Sequence, residues 1–340
     1  MNSDELKSVA RAIVTGQKGI LAADESGPTI KKRFDSIKVE STEETRRRYR
    51  ELLFTTEGIE STIGGVILYD ETLRQTARDG TPLAELLSNR GIFSGIKVDE
   101  GSKALALHPG EKITEGLDGL RERLAEYKLL GAKFAKWRAV IEIDERAIPT
   151  RYGIHANAHA LARYAALCQE AGLVPIVEPE VLMDGAHDIA RCEVVTSQVL
   201  QAVFAELEAH RVLLEGMLLK PNMVIAGMKC AQQAGVQQVA EASIRCLTRY
   251  VPAAVPGIVF LSGGQSAEDA TDHLNAMNAM GPHPWQLSFS YGRALQAPVL
   301  AAWKGQESNA AAAQKAFAMR CRLNGLARAG KYARTMEMTG

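Results

Sequence analysis

The sequence has few cysteines and no net charge. Five cysteines are scattered among its 340 residues, and none forms a Cys-x-x-Cys pair. An odd number of dispersed cysteines argues against a disulfide framework and a structural zinc site, and is typical of reduced cytoplasmic proteins. The 40 basic and 40 acidic residues cancel, so bulk charge gives no reason to expect binding to nucleic acid or to an anionic membrane. We therefore predict a cytoplasmic protein.

Several motifs that mark other protein classes are also missing. No apolar run approaches the length of a membrane span, and the first ten residues lack the apolar centre of a signal peptide. No Gly-x-Gly-x-x-Gly follows the first apolar segment, and no Gly-x-Ser-x-Gly elbow is present. His155 and His159 have helical i, i+4 spacing, but no His-Glu-x-x-His motif accompanies them. We therefore predict no metal site.

Short apolar or β-branched segments recur about every 30 to 45 residues, which is the length of a strand–loop–helix–loop unit. This spacing predicts eight strands with helices between them. The predicted strands are Gly19–Ala23, Gly64–Tyr69, Ser94–Val98, Phe134–Ile143, Leu173–Val181, Met217–Val224, Gly257–Ser262 and Trp285–Tyr291.

The segments between the strands carry the 3.6-residue period of helices. Such helices are predicted at Leu117–Leu130, Ala158–Ala171, Ala190–Leu207 and Gln237–Tyr250, with flanking helices at Leu6–Val14 and Asn309–Ala329. Eight strand–helix units without a linker favour an α/β fold of the closed (β/α)8 TIM-barrel type, with additional N-terminal and C-terminal helices, over an open doubly wound sheet. We predict one barrel domain over residues 1–340, with a short, flexible tail at about 331–340.

Polar and charged side chains stand at the carboxyl ends of the predicted strands, where barrel enzymes carry their chemistry. Residues two apart on a strand share a face, so Lys136 and Arg138 are expected to point the same way, as are Glu178 and Glu180. The alternative is an ion-pair network that only closes the barrel. The side chains at these ends include Asp24, Glu25, Ser26, Lys97, Asp99, Lys136, Arg138, Glu178, Glu180, Lys220, Ser262, Ser290 and Arg293.

Lysines in this setting suggest amine chemistry. Lys220 ends an apolar run, where a charged ammonium is costly unless it is paired or loses its proton. A neutral lysine can attack a carbonyl carbon and form a Schiff base, while a neighbouring carboxylate transfers protons. Lys97 and Lys136 occupy similar positions, and the residues alone do not choose among the three.

Two segments are suited to binding phosphate. Ser262-Gly263-Gly264 offers backbone amides and a hydroxyl in a turn after the seventh strand, and Gly292-Arg293 follows the eighth. Phosphate sites recur at this place in barrels. Lys32 and Arg33 near the first strand are expected to hold a second phosphate at the opposite rim, although they also fit a solvated helix face.

Taken together, the motifs resemble those of the class I fructose-bisphosphate aldolases, the metal-independent enzymes that form a Schiff base. The resemblance runs in order from residue 6 to about residue 332 and covers nearly the whole chain. It rests on GILAADES (19–26), KVD (97–99), FAKWR (134–138), PIVEPE (175–180), LLKPNMV (218–224), FLSGGQS (260–266) and SYGRALQ (290–296).

The resemblance implies a role for each matching position. Lys220 would form the Schiff base, Glu178 would transfer protons, Lys136 would stabilise charge near the scissile bond, and Asp24 would orient Lys220 and assist cleavage. It also implies sugar-phosphate substrates, no metal or other cofactor, and a homotetramer in glycolysis and gluconeogenesis. The substrate-binding positions that it implies are Lys97, Arg138, Glu180, Ser26, Thr29, Lys32, Arg33, Ser262, Gly263, Gly264, Ser290, Gly292 and Arg293.

Two departures from the animal-type pattern stand out. Pro28 lies in the segment after the first acidic pair, where we expect it to stiffen a loop and remove an amide donor from one phosphate site. The sequence ends at Gly340 without a terminal tyrosine, so tail-assisted proton exchange and a preference for bisphosphate over monophosphate ketoses do not transfer. A Schiff-base aldolase for another sugar phosphate and a non-catalytic scaffold on the same barrel remain alternatives.

Overall fold

Parallel strands form a closed barrel in the computed structural model of the chain, which describes residues 2–144 and 147–339. The strands are β1 (Gly19–Ala23), β2 (Ile63–Leu68), β3 (Phe93–Lys97), β4 (Ser102–Ala104), β5 (Lys112–Thr114), β6 (Phe134–Ile141), β7 (Val174–Val181), β8 (Leu218–Leu219), β9 (Gly257–Phe260) and β10 (Gln286–Tyr291). The barrel order is β1-β10-β9-β8-β7-β6-β3-β2, and β4 pairs with β5 in a separate antiparallel hairpin. The predicted TIM-barrel fold is confirmed.

Helices surround the barrel and connect its strands. The α-helices are α1 (Ser3–Ile13), α2 (Gly27–Ser36), α3 (Glu43–Phe54), α4 (Asp70–Arg74), α5 (Leu83–Asn89), α6 (Leu120–Leu129), α7 (Arg151–Ala171), α8 (Ile189–Ala209), α9 (Val236–Tyr250), α10 (Ala267–Ala279), α11 (Arg293–Trp303) and α12 (Ala310–Arg328). Short 3-10 helices lie at Ile59–Ser61, Leu214–Gly216, Glu307–Asn309 and Arg334–Thr339. No helix of the described residues is long and apolar enough to cross a membrane.

Side-chain alternation along β6 divides the barrel into an inner and an outer layer. Phe134 joins the inner apolar cluster, whereas Trp137 belongs to the outer core and packs against Tyr164 of α7, with ring centroids 5.6 Å apart. Lys136 shares the inner face with Phe134 because it lies two residues further along the strand. The inner face therefore changes from apolar to charged towards the carboxyl ends of the strands.

The ring of Phe134 fills the lower part of the barrel. Gly65 on β2 and Gly95 on β3 lie against it, and a β-carbon added at Gly65 would be 2.9 Å from the ring. A β-carbon at Gly95 would lie within the van der Waals surface of the same ring. These two glycines give the aromatic ring its space, as interior packing requires.

Helix α1 closes the amino-terminal end of the barrel. Its buried residues Leu6, Ala10 and Ile13 join the same apolar cluster as Phe134. The backbone carbonyl of Ile13 lies so close to Gly64 that no side chain fits there. Access to the interior is therefore from the opposite end, where the strands terminate.

The sixth predicted strand is much shorter than expected. Leu218–Leu219 replaces the predicted Met217–Val224 because Pro221 has no amide hydrogen to donate to the ladder. Beyond the strand, the Asn222 side chain accepts a hydrogen bond from the Val181 amide at 3.0 Å. The hairpin β4–β5 and the helices α2 and α3 between the first two barrel strands were not among the predicted elements.

The carboxyl-terminal segment packs against the barrel helices. Tyr332 is buried, and its hydroxyl donates to the Glu337 carboxylate at 2.8 Å. Glu337 also pairs with the buried guanidinium of Arg320 on α12 at 2.6 Å. Arg334 lies 3.1 Å from Asp269 of α10. These contacts attach the predicted tail to α10 and α12.

Candidate active site

One cavity of about 1300 Å³ opens at the carboxyl ends of the barrel strands. It brings together every position that the sequence predicted for the site. The predicted positions that line it are Asp24, Ser26, Thr29, Lys32, Arg33, Lys97, Lys136, Arg138, Glu178, Glu180, Lys220, Ser262, Gly263, Gly264, Ser290, Gly292 and Arg293.

The ammonium of Lys136 lies at the centre of a carboxylate cluster. Its Nζ is 2.8 Å from Asp24, 3.4 Å from Glu178 and 3.7 Å from Asp99. Burial alone would lower the pKa of Lys136, but these carboxylates outweigh it and raise the pKa above its ordinary value. Lys136 is therefore a cation at neutral pH.

Asp24 is the carboxylate that lies nearest to the Lys136 ammonium. Burial would raise the pKa of Asp24, but the ammonium groups of Lys136, Lys220 and Lys97 outweigh it and hold the pKa well below its ordinary range. The carboxylate comes from the end of β1 and reaches across the barrel to β6. It is therefore ionised at neutral pH.

Lys220 follows the short strand β8 and has a simpler environment. Its amide continues the ladder by donating to the Val177 carbonyl at 2.8 Å, which fixes the backbone. The side chain is 5% exposed, and its Nζ lies 3.3 Å from Oε1 of Glu178. Within the described part of the chain, Glu178 is the one carboxylate at ion-pair distance from this ammonium.

A second layer of ion pairs lies around the Lys136 cluster. Arg138 pairs with Glu180, and the Lys97 Nζ lies 2.7 Å from Oδ1 of Asp99. Asp99 also accepts a hydrogen bond from the Arg138 amide at 3.2 Å. The alternation prediction is thereby confirmed, since Lys136 and Arg138 both line the cavity, as do Glu178 and Glu180.

The turn after β9 and the start of α11 form a cradle with free donors. The Arg293 guanidinium donates to the Gly263 carbonyl at 2.8 Å and joins the two segments. Gly263 has φ +53°, a backbone conformation that favours glycine. Among the described residues, Ser290 Oγ is one of the buried polar atoms without a hydrogen-bond partner. Backbone amides at a helix start together with an arginine suit an anion such as phosphate.

The segment around Pro28 is a helix start and not a loop. Helix α2 begins at Gly27, and the amides of Thr29 and Ile30 already donate to the Ser26 carbonyl, at 2.9 Å each. Proline is favoured in the first turn of a helix because an amide there has no intrahelical partner. The expected loop is therefore a helix start, while the expected loss of one amide donor remains because proline has no N–H. Hydroxyls of Ser26 and Thr29 remain at this helix end, 3.1 Å apart.

Arg33 lies elsewhere than expected. A β-carbon at Gly292 would be 3.6 Å from its guanidinium, which places Arg33 beside the cradle of β10 and α11. The expectation of an opposite rim was wrong because β1 pairs directly with β10 when the barrel closes. Lys32, on the same helix, is exposed at the edge of the cavity.

A buried network that sequence reasoning missed fixes Arg33. Glu25 pairs with Arg33 and with Arg50 of α3, the latter at 2.5 Å, and Gln296 of α11 donates to Glu25 at 2.9 Å. Burial would raise the pKa of Glu25, but the two guanidinium groups outweigh it and lower the pKa. The network links the end of β1 with α2, α3 and α11 at the wall of the cavity.

Comparison with known proteins identifies the family. The family model for class-I fructose-bisphosphate aldolase, of the glycolytic type, matches residues 5–340. The chain belongs to the class-I fructose-bisphosphate aldolase family. It is accordingly an enzyme of the lyase class, and the resemblance drawn from the motifs is confirmed.

Individual aldolases match over nearly their full length. The chain is 57% identical to fructose-bisphosphate aldolase 1 of Toxoplasma gondii over 329 residues, which are 96% of this chain and 91% of the relative. It is 55% identical to a probable fructose-bisphosphate aldolase class 1 of Xanthomonas campestris pv. campestris, over 98% of this chain and 99% of the relative. Plasmodium falciparum aldolase, solved with TRAP and a small-molecule inhibitor, superposes with a TM-score of 0.96 at 53% identity, over 97% of this chain and 96% of that one.

Asp99 and Arg50 differ in how far the aldolase sequence pointed to them. Asp99 was named at a strand end without a role, and strand alternation places it on the inner face with Lys97, two residues before it. Arg50 gave no such signal, because it lies in the charged stretch of α3 shortly after three other arginines. Only the packing of α3 on the barrel shows that its guanidinium is 3% exposed.

Proposed function

We propose that this chain reversibly cleaves fructose 1,6-bisphosphate into dihydroxyacetone phosphate and glyceraldehyde 3-phosphate, with Lys220 as the Schiff-base lysine. The choice of Lys220 rests on one observation, which is that the three lysines of the cavity differ in how many acceptors hold each amine. Lys136 is surrounded by three carboxylates, and Lys97 donates to both the backbone carbonyl and the carboxylate of Asp99. An amine held by several acceptors is the least free to add to a carbonyl carbon. Lys220 has one such partner, Glu178.

The proposed reaction begins at the ketone carbon. The Lys220 amine adds to it, and the carbinolamine loses water with Glu178 supplying the proton, which leaves an iminium ion. Abstraction of the proton from the carbon 4 hydroxyl then breaks the bond between carbons 3 and 4, and carbons 4 to 6 leave as glyceraldehyde 3-phosphate. The electron pair of that bond moves into the iminium and gives an enamine. Protonation of the enamine and hydrolysis release dihydroxyacetone phosphate and free Lys220.

The neighbouring charges fit these steps. Asp24 is ionised beside the lysines and is our candidate for assisting carbon–carbon cleavage, while Lys136 stabilises the negative charge that develops at the carbon 4 oxygen. Because the iminium is the electron sink, we propose that the reaction needs no metal or other cofactor. Cleavage rates should be unchanged by a chelator.

Two anion sites favour a bisphosphate substrate. Residues Ser262–Gly264, Ser290, Gly292 and Arg293, with Arg33 beside them, are proposed to hold one phosphate. The start of α2, with Ser26, Thr29 and Lys32, is proposed to approach the other. Comparing kcat/KM for fructose 1,6-bisphosphate and fructose 1-phosphate tests this assignment against the alternative of a monophosphate substrate.

Borohydride trapping tests the lysine. Reduction in the presence of dihydroxyacetone phosphate should add the triose phosphate to one lysine, which peptide mass mapping should locate at Lys220. Lys220→Met should remove the label, whereas Lys229→Met, at an exposed position nearby, should keep it. A label on Lys97 or Lys136, or no label at all, contradicts the assignment.

The family suggests properties of the whole molecule. We propose a cytoplasmic homotetramer that acts in glycolysis and gluconeogenesis, with residues 1–340 as one barrel domain. Light scattering coupled to size exclusion should then give four times the 36.8-kDa mass of one chain. A monomeric mass contradicts the proposed assembly without affecting the proposed chemistry.

A further inference from the structure

A cluster of histidines lies on the outer helices, away from the cavity. His155 and His159 belong to α7, Glu206 belongs to α8, and His210 caps the carboxyl end of α8. The carboxylate of Glu206 is 3.4 Å from His155 Nδ1, 3.0 Å from His159 Nδ1 and 3.6 Å from His210 Nδ1. None of the four residues lines the catalytic cavity.

We propose that His159, Glu206 and His210 bind a divalent transition-metal ion such as Zn²⁺, with His155 as a further ligand. One ligand atom from each of the first three lies within 4.8 Å of the others. A zinc ion about 2.1 Å from each of three ligands in a tetrahedral site would hold those atoms roughly 3.4 Å apart. Small rotations of the histidine side chains would bring the ligand atoms to this separation.

The hydrogen bonds within the cluster leave ligand atoms available. His210 Nδ1 lies 2.8 Å from the Glu206 carbonyl, which can only accept, so this nitrogen carries the proton. In the neutral ring, the lone pair is then on Nε2. His210 Nε2 is thereby free to bind an ion, which is the arrangement found at metal centres. His159 Nδ1 lies 3.0 Å from the Glu206 carboxylate, so an ion bound between these two atoms would replace their hydrogen bond.

The kinds of ligand atom in the cluster indicate which metal ions it would bind. Imidazole nitrogens combined with one carboxylate suit zinc, copper and nickel, whereas calcium and magnesium prefer oxygen ligands. His159 is half-exposed and Glu206 is mostly buried, so the carboxylate is held in place and an ion can enter from solvent. The i, i+4 histidines lack a carboxylate nearby in the sequence, and the fold supplies it from α8.

A bound ion would join α7 to α8 and stabilise the folded state through linkage. At a free concentration about 100 times Kd, we expect the melting temperature to rise by about 4 °C in a chain of this size. Cleavage activity should be unaffected, because the ion lies outside the catalytic cavity. The proposal is therefore independent of the proposed function.

Titration of the full chain, purified without a histidine tag, with ZnCl2 tests the site by calorimetry. We expect one ion per chain, with an affinity reduced about a hundredfold or more in the double variant His159→Asn, His210→Asn. His108→Asn, at a partly exposed histidine elsewhere, is the matched control and should bind normally. Cys230→Ser should also bind normally, which separates the site from zinc binding by a thiol.

Absence of binding in the wild type overturns the proposal, as does undiminished binding in the double variant or loss of binding in Cys230→Ser. If the double variant fails to fold, Glu206→Gln replaces it, with its cleavage rate in metal-free buffer as the check of folding. Anomalous diffraction from zinc-soaked crystals should place the ion among His159, Glu206 and His210. An ion found only at other residues refutes the assignment.

Discussion

Replacement of Lys136 by methionine tests whether the stability of the fold depends on the cation that neutralises the buried carboxylates. The substitution keeps the length of the side chain but leaves Asp24, Glu178 and Asp99 without the cation that lies 2.8 to 3.7 Å from them. Removing one partner from a buried ion pair costs about 3–5 kcal/mol. Lys133→Met is the matched control, because Lys133 pairs with Glu5 at the half-exposed surface, where a salt bridge contributes about 0–1 kcal/mol.

The loss of unfolding free energy in Lys136→Met should depend on pH. In the wild type, the depressed pKa of Asp24 adds stability above the pKa of the unfolded chain, and this contribution is lost as pH falls through the native pKa. Without Lys136 the native pKa of Asp24 rises, so the folded variant takes up protons at a higher pH than the wild type. The stability gap between the two should therefore be largest near pH 7 and should narrow towards pH 5.

Urea unfolding at equal protein concentration, at pH 7 and at pH 5, measures the destabilisation of each variant and its change with pH. The reasoning is refuted if Lys136→Met costs no more than Lys133→Met at pH 7. It is also refuted if the gap stays constant or widens as the pH falls, because the destabilisation would then arise from packing and not from unpaired carboxylates.

Three further predictions concern other parts of the chain. Arg293→Ala should raise KM for fructose 1,6-bisphosphate about 10–100-fold, since a hydrogen bond to a charged group contributes about 1.5–3 kcal/mol; an unchanged KM in steady-state assays would remove Arg293 from the phosphate site. Arg50→Met should cost about 3 kcal/mol or more in urea unfolding at pH 7, because it leaves buried Glu25 with one guanidinium fewer; a loss below 1 kcal/mol would show that the network contributes little. Burial lowers the pKa of His273 from 6.5 to about 4, so the unfolded chain binds more protons between these values and stability falls as the pH drops. This residue alone should cost about 2 kcal/mol on going from pH 6.5 to pH 5, and His273→Gln should abolish that part of the pH dependence of unfolding.

The barrel and its catalytic end were predictable because two local rules apply throughout the chain. Apolar segments at regular spacing marked the strands, and polar residues at their carboxyl ends marked the mouth. Strand alternation then placed Lys136 with Arg138 and Glu178 with Glu180 on the inner face. None of these inferences needed information about which strands are neighbours.

Two features that sequence reasoning missed depend on closure of the barrel and on helix packing. Arg33 lies beside Gly292 because the last strand pairs with the first, and no local pattern encodes that pairing. Glu25 meets Arg50 only because α3 packs there. The strands β4 and β5 are three residues each and largely polar, so they lack the apolar signal by which the barrel strands were found.

The packing of Phe134 against Gly65 and Gly95 has a consequence for how this sequence can change over time. A side chain at position 95 has no room while the ring is present, and a smaller residue at position 134 leaves a void while the glycines remain. Each single step passes through a less stable intermediate, although the double change conserves volume. The order of substitutions is therefore restricted, and the three positions are expected to vary together or not at all.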